Sequence, residues 1–168
     1  ISSKLTSLIS LRYDWSGINS DAIGTTVIKH PSVDALSPRV ALNYKAMDDM
    51  SFRASWNRSF RAPSMYERLI RDGGAYTMYP NPDLDKETMT AYEVGVFKEF
   101  GNRASVDVAG FINDYDDLIQ PMPYTVPNGT GMEKMYQNIA KAKIWGIETN
   151  LNVKPNNEVN VNLAYTYM

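Results

Sequence analysis

Apolar and polar residues alternate with a period of two along most of the chain, the spacing of strands whose successive side chains point to opposite faces. Val159, Val161, Leu163, Tyr165 and Tyr167 share one face, and Asn160, Asn162, Ala164 and Thr166 the other. The preceding segment repeats this, with Trp145, Ile147, Leu151 and Val153 opposite Glu148, Asn150, Asn152 and Lys154, and Pro155-Asn156-Asn157-Glu158 as the turn. Further back, Val106 and Val108 alternate with Ser105 and Asp107, and Tyr92, Val94 and Val96 with Glu93 and Gly95, joined at Gly101-Asn102. Phe52, Ala54 and Trp56 oppose Arg53, Ser55 and Asn57. Val40, Leu42 and Tyr44 oppose Arg39, Asn43 and Lys45, turning at Asp48-Asp49, and Leu5, Ile9 and Leu11 oppose Thr6, Ser10 and Arg12. The pattern predicts an all-β fold of about seven antiparallel, up-and-down strands.

The predicted connections alternate in length. They are short at Met47–Met50, Phe100–Arg103 and Pro155–Glu158, and long at Trp15–Leu36, Phe60–Lys86 and Pro121–Gln137. Short turns at one end and long loops at the other are the asymmetry of an outer-membrane barrel, whose wall keeps one face of every strand against lipid. The same asymmetry gives each strand a direction. Tyr13, Trp15, Trp56, Phe60, Tyr92, Trp145, Tyr165 and Tyr167 are then expected at one level, as an interfacial girdle. Charges follow the scheme: Arg12, Arg39, Arg53, Glu93, Asp107 and Glu148 take the polar register. Arg58 and Lys98 take the apolar register only near strand ends, where long stems reach the interface. Ser7 and Thr149 are mild exceptions.

Composition narrows the classes. No run of about 18 apolar residues spans a bilayer as a helix, whereas a barrel needs only alternate apolar residues. With no cysteine there is no disulfide framework, thiolate metal site or cysteine nucleophile, and a net charge of −2 offers no basic face for nucleic acid. The 168 residues also suit one compact domain. A soluble β-sandwich for adhesion or carbohydrate binding, its apolar faces packed on each other, is the alternative from another class. A complete small barrel of about eight strands is a second. Ile1 opens no signal peptide, so the start of an exported precursor is expected to lie outside this stretch.

Ser37-Pro38-Arg39 opens a strand, Phe60-Arg61-Ala62-Pro63-Ser64 closes the next, and Asn81-Pro82-Asp83-Leu84, then Glu87 and Tyr92-Glu93-Val94-Gly95-Val96, lead into a third. In this order the motifs resemble the TonB-dependent outer-membrane receptors, which carry a Pro-Arg strand start, a Phe-Arg-Ala-Pro corner, an Asn-Pro-Asp-Leu-Lys-Pro-Glu segment and a Tyr-Glu-Leu-Gly-type strand. Asp85 and Lys86 depart from the family's usual Lys-Pro. The resemblance implies part of a C-terminal transmembrane β-barrel of about twenty-two strands closed around an N-terminal plug. Residues 1–168 are therefore expected to form a partial barrel segment with the plug absent. The resemblance further implies residence in the bacterial outer membrane, contact with its lipid, and coupling to the TonB energy complex through the missing plug. The ligand it implies is scarce and large: a ferric siderophore, haem, cobalamin or a glycan. Neither enzyme activity nor a cofactor is expected.

The candidate ligand-binding surface is the segment from Phe60 to Glu87, with Arg61, Tyr66, Arg68, Tyr76, Met78 and Tyr79. A guanidinium pairs with carboxylates or catecholates, and a tyrosine ring offers a flat face with a polar tip. The plainer reading is that Arg61 and Glu67 brace the loop against the wall. His30, the one histidine, invites axial haem ligation, although a lone loop histidine is more often solvated. Asn113, Asp114, Asp116 and Asp117 have oxygens for calcium but lack the glycine turn and distal glutamate of a calcium loop, so a solvated strand end is expected and no metal site. No placed base, nucleophile elbow or paired-acid spacing marks a catalytic residue. Asn128-Gly129-Thr130 has the form of a glycosylation acceptor but reads as a loop turn.

Overall fold

The computed structural model describes residues 4–17, 32–69, 71–73, 77–127, 129, 131 and 133–168. The chain opens with three long strands, β1 (Leu5–Gly17), β2 (Ser32–Met47) and β3 (Met50–Arg61). A short helix α1 (Met65–Leu69) and two short strands, β4 (Asp72–Gly73) and β5 (Thr77–Tyr79), follow. Four more wall strands complete it: β6 (Glu87–Phe100), β7 (Ala104–Pro123), β8 (Lys134–Val153) and β9 (Val161–Tyr167). The wall strands pair antiparallel in chain order, as the alternation predicts. Only β5 departs, pairing parallel to the outer end of β8 through Met78 opposite Lys134 and Tyr79 opposite Met135.

Register makes the two faces continuous. One cross-strand row reads Ile9, Val40, Trp56, Tyr92, Ile112, Trp145; the next residue along each strand gives Ser10, Arg39, Asn57, Ala91, Asn113, Ile144. A one-residue slip in any strand would exchange its faces, so the alternation itself holds the register. Among the described residues nothing covers the apolar face: Ile9 is 78% exposed, Val94 64% and Leu163 59%. A sandwich would bury that side under a second sheet, so the exposed face removes the soluble alternative.

The exposed aromatics form an oblique belt across the hydrogen-bonded rows. Trp15 lies six residues along β1 from Ile9, Trp56, Tyr92 and Trp145 lie in the row of Ile9, and Tyr167 lies opposite Ile147, two residues from Trp145. Trp145 and Tyr167 meet edge to face at 6.0 Å.

The polar face carries an ion cluster at mid-wall. Arg53 on β3 donates through Nε to Glu93 at 2.8 Å and through Nη1 to Asp107, two strands away, at 2.9 Å. Gly95 on the intervening β6 makes the crossing possible, since a Cβ there would sit 2.7 Å from Arg53 Cζ. At the short-turn end Lys98 takes the apolar register, as expected, and its ammonium turns out to Asp49 at 2.5 Å. That hydrogen bond holds the Asp49 carboxyl below its ordinary value.

The strands outrun their predicted outer ends. β2 begins at Ser32 and not Leu36, β7 continues to Pro123, and β8 starts at Lys134 and not Gln137. Beyond the alternating stretch the ladder hydrogen bonds persist, so the periodic signal stops before the strand does. A small core sits at this end. Val33, Ala35, Met78, Leu84 and Ile119 are buried, together with Arg68 and Glu133.

Candidate functional site

The segment between β3 and β6 is folded by its own local chemistry. Ser64 and Glu67 form a capping box on α1: Ser64 Oγ accepts from Glu67 N at 3.2 Å, and Glu67 Oε2 accepts from Ser64 N at 2.7 Å. Asn81 closes an Asx turn by accepting from Asp83 N at 3.1 Å, which the following Pro82 favours.

Arg61 joins this segment to the wall. It sits directly across from Glu87 in the polar register and clasps it with two bonds, Nε to Oε2 at 2.6 Å and Nη2 to Oε1 at 2.8 Å. Its other edge donates to Glu67 at 3.2 and 3.3 Å. Glu87 Oε1 also accepts from Ile119 N at 2.7 Å, so one carboxylate ties β3 and β6 to β7. Burial pushes the Glu67 carboxyl up, but the hydrogen bonds from Arg61 and Ser64 outweigh it and hold it below its ordinary value.

Side-chain amides fasten the far end. Asn138 on β8 accepts from Asp85 N at 2.9 Å and donates to the carbonyls of Asp85 at 3.0 Å and Asp117 at 2.8 Å. Asp117 has a positive φ of 58°, at a bulge where β7 shifts register against β8. Asn81 donates to Tyr136 O at 2.8 Å, and Lys86 Nζ to Asp34 O at 2.6 Å. The segment therefore bonds to β2 and β8 as well as, through Glu67, to β3. Asp85 and Lys86, the departures from the family's usual Lys-Pro, both serve as anchors.

The sequence-derived candidates take different places. Arg68 is buried and donates to Leu84 O at 2.6 Å. Met78 is buried in the small core. Tyr66 is exposed beside Tyr136, edge to face at 6.5 Å. Tyr79 lies 5.3 Å from Tyr124, and Arg71 stacks over its ring at 4.6 Å while donating to its hydroxyl at 3.1 Å. Arg61, Tyr66 and Arg68 thus share one folded unit with Met78 and Tyr79, whereas Tyr76 lies outside the described residues. So do His30, Asn128 and Thr130. Asp114 and Asp116 are ion-paired with Lys143 and Lys141. Sequence reasoning missed Asn138, which sits mid-strand without a turn motif to signal it, and it did not read the helix that Ser64-x-x-Glu67 announces.

Compared with known proteins, the chain matches the family described as TonB dependent receptor-like, beta-barrel over residues 1–168. It belongs to the TonB-dependent receptors. It is 32% identical to the heme/hemopexin utilization protein C of Haemophilus influenzae (strain 86-028NP), across 83% of this chain and 22% of that protein. To the iron-regulated outer membrane virulence protein of Vibrio cholerae it is 28% identical, across 78% of this chain and 22% of the relative. The chain thus spans about a fifth of the length of the curated relatives it matches. Among solved structures, the hemophore receptor HasR of Serratia marcescens superposes with a TM-score of 0.75 at 24% identity, covering 98% of this chain and 31% of that one. The siderophore receptor PirA of Acinetobacter baumannii gives 0.76 at 20% identity, covering 100% and 26%. As a member of this family, the chain is wall of a large outer-membrane barrel.

Proposed function

We propose that the receptor containing this chain takes up an iron-bearing ligand across the outer membrane with energy supplied through TonB, and that haem is its first candidate ligand. On this reading residues 1–168 are part of the wall of a larger barrel whose plug is encoded elsewhere in the parent protein. The observation that carries the proposal is the docked segment 62–86: it is stapled to three wall strands, β2, β3 and β8, and it carries Tyr66 and Tyr79 at the long-loop end. Tyr66, Tyr76 and Tyr79 are assigned to ligand contact, since flat rings suit a porphyrin or a catecholate. Arg61, Arg68 and Met78 are assigned to holding the segment in place. The names of the relatives, haem utilization first, support haem over cobalamin and glycan. Ferric siderophores come second, on the names of the ferrienterobactin receptor and the siderophore receptor PirA.

The test is growth of an iron-starved outer-membrane host that lacks its own haem and siderophore receptors and expresses the full-length parent. Growth on haem is expected, lost on removing TonB and weakened about tenfold or more in half-saturating haem by Tyr66→Ala with Tyr79→Ala, the scale of losing aromatic contacts in a binding site. Growth on a ferric catecholate but not haem would reverse the order of ligands. Growth on neither, with the folded receptor present, would overturn the assignment.

A further inference from the structure

We infer that Arg71, Tyr79 and Tyr124 form the part of the ligand site that reads a carboxylate on the edge of a flat ligand, the propionate edge of haem. The inference rests on the haem reading above and adds to it one cation, Arg71, and one ring, Tyr124. Three observations meet there. First, the guanidinium is held in place with donors to spare. Arg71 is exposed, its Cζ lies 4.6 Å over the Tyr79 ring, and its Nη2 donates to the Tyr79 hydroxyl at 3.1 Å. A guanidinium carries its N–H donors in one rigid plane, and stacking fixes that plane without consuming them. Arg12, Arg53 and Arg61 are each ion-paired with carboxylates, whereas among the described residues no carboxylate pairs with Arg71.

Second, the Tyr79 hydroxyl accepts from Arg71 and so keeps its own proton for another acceptor. An anionic oxygen placed beside it meets a hydroxyl donor and a cationic donor at once, and hydrogen bonds to an ionised group are the strong ones.

Third, two distant stretches of chain bring the rings together. β5 pairs with β8, and Met78 is buried in the small core, which turns its neighbour Tyr79 to the opposite face of the strand. Tyr124 follows β7 and is pinned by its own N–H, which donates to Glu133 O at 2.9 Å. The two rings lie 5.3 Å apart, inclined at 52°, and Tyr124 is 37% exposed. Glu133, the carboxylate of this loop, is buried and accepts from Gly131 N at 2.8 Å, so it is turned into the loop and away from solvent. A small inorganic anion would use the donors and leave the rings idle, and a flat apolar molecule would do the reverse. Haem, a broad apolar ring with carboxylates along one edge, engages both.

The test titrates the full-length receptor, folded in detergent, with haem and with haem dimethyl ester, whose propionates are neutral, and reads the Soret band. The unmodified receptor is expected to bind haem about tenfold more tightly than the ester, the scale of one charge-assisted contact at an exposed site. Arg71→Ala should lose about tenfold for haem and almost nothing for the ester, so that the preference disappears. Arg71→Lys should restore only part of it, because an ammonium keeps the charge without the planar stack. Tyr124→Ala should weaken both ligands alike. Equal binding of the two porphyrins by the unmodified receptor, or a preference that survives in Arg71→Ala, would overturn the assignment of Arg71 while leaving the haem reading standing. Binding of neither porphyrin would overturn the haem reading and this inference with it. Should Arg71→Ala fail to give a folded, heat-modifiable band, the comparison of haem with its ester on the unmodified receptor and on Arg71→Lys decides alone.

Discussion

Val94→Arg is expected to destabilise the folded barrel by about 2–4 kcal/mol in a bilayer, whereas Asn150→Arg is expected to cost close to nothing. Val94 sits midway along β6, 64% exposed, between Ala54 on one side and Gly110 on the other. An arginine there must enter hydrocarbon or bend its stem to an interface several residues away. Asn150 occupies the opposite register on β8, directly across from Asp107, and an arginine at that position gains a carboxylate neighbour in a wet lumen. Urea unfolding of the full-length receptor from lipid vesicles measures both. Similar costs for the two substitutions would mean that the faces see the same surroundings.

The second large effect is at the corner. Arg61→Ala is expected to undock segment 62–86 and expose it to protease on intact cells, because it leaves Glu67 and Glu87, only 14% and 15% exposed, facing each other without their shared cation. Removing one partner of a buried pair costs roughly 3–5 kcal/mol, and the half-exposed Arg61 brings this down to about 2. Arg61→Lys should rescue only in part, since an ammonium cannot bridge two carboxylates with the paired donors of a guanidinium. Acid should act in the same direction. The Glu67 carboxyl lies below its ordinary value when the segment is docked, so its contribution is present above the ordinary carboxylate range and is lost as pH falls through the docked value. Protease sensitivity of the segment should therefore rise below about pH 4. A segment equally resistant in Arg61→Ala and in the unmodified receptor would remove Arg61 as its anchor.

The wall was legible in the chain because lipid imposes a strict rule on it. The cross-strand row from Ile9 to Trp145 follows from alternation, and the exception Lys98 falls where its ammonium reaches Asp49. The mouth was legible only in pieces. The Phe-Arg-Ala-Pro corner and the Asn-Pro-Asp-Leu turn marked a structured segment, and the Ser64-x-x-Glu67 spacing signals α1. What joins those pieces lies far away in sequence. Glu87 reaches Ile119, Asn138 reaches Asp85, and Lys86 reaches Asp34, and no local periodicity ties one such residue to the other. Asp114 and Asp116 show the same limit: their lysine partners on β8, Lys143 and Lys141, lie far downstream and emerge only from the register of β7 on β8.

That hydrocarbon solvates the apolar register is tested most directly by spin labels. The chain has no native cysteine, so in a parent whose other cysteines are removed a single cysteine reports one position without interference. Labels placed singly at Glu93, Val94, Gly110, Phe111, Ile147 and Glu148 in the full-length receptor, reconstituted in bilayers, are read for collision with oxygen, which concentrates in hydrocarbon, and with a water-soluble nickel chelate. Oxygen should dominate at Val94, Gly110 and Ile147 and the nickel chelate at Glu93, Phe111 and Glu148, changing sides at every residue. Uniform accessibility along each strand, or nickel dominating at Val94 and Ile147, would contradict the account.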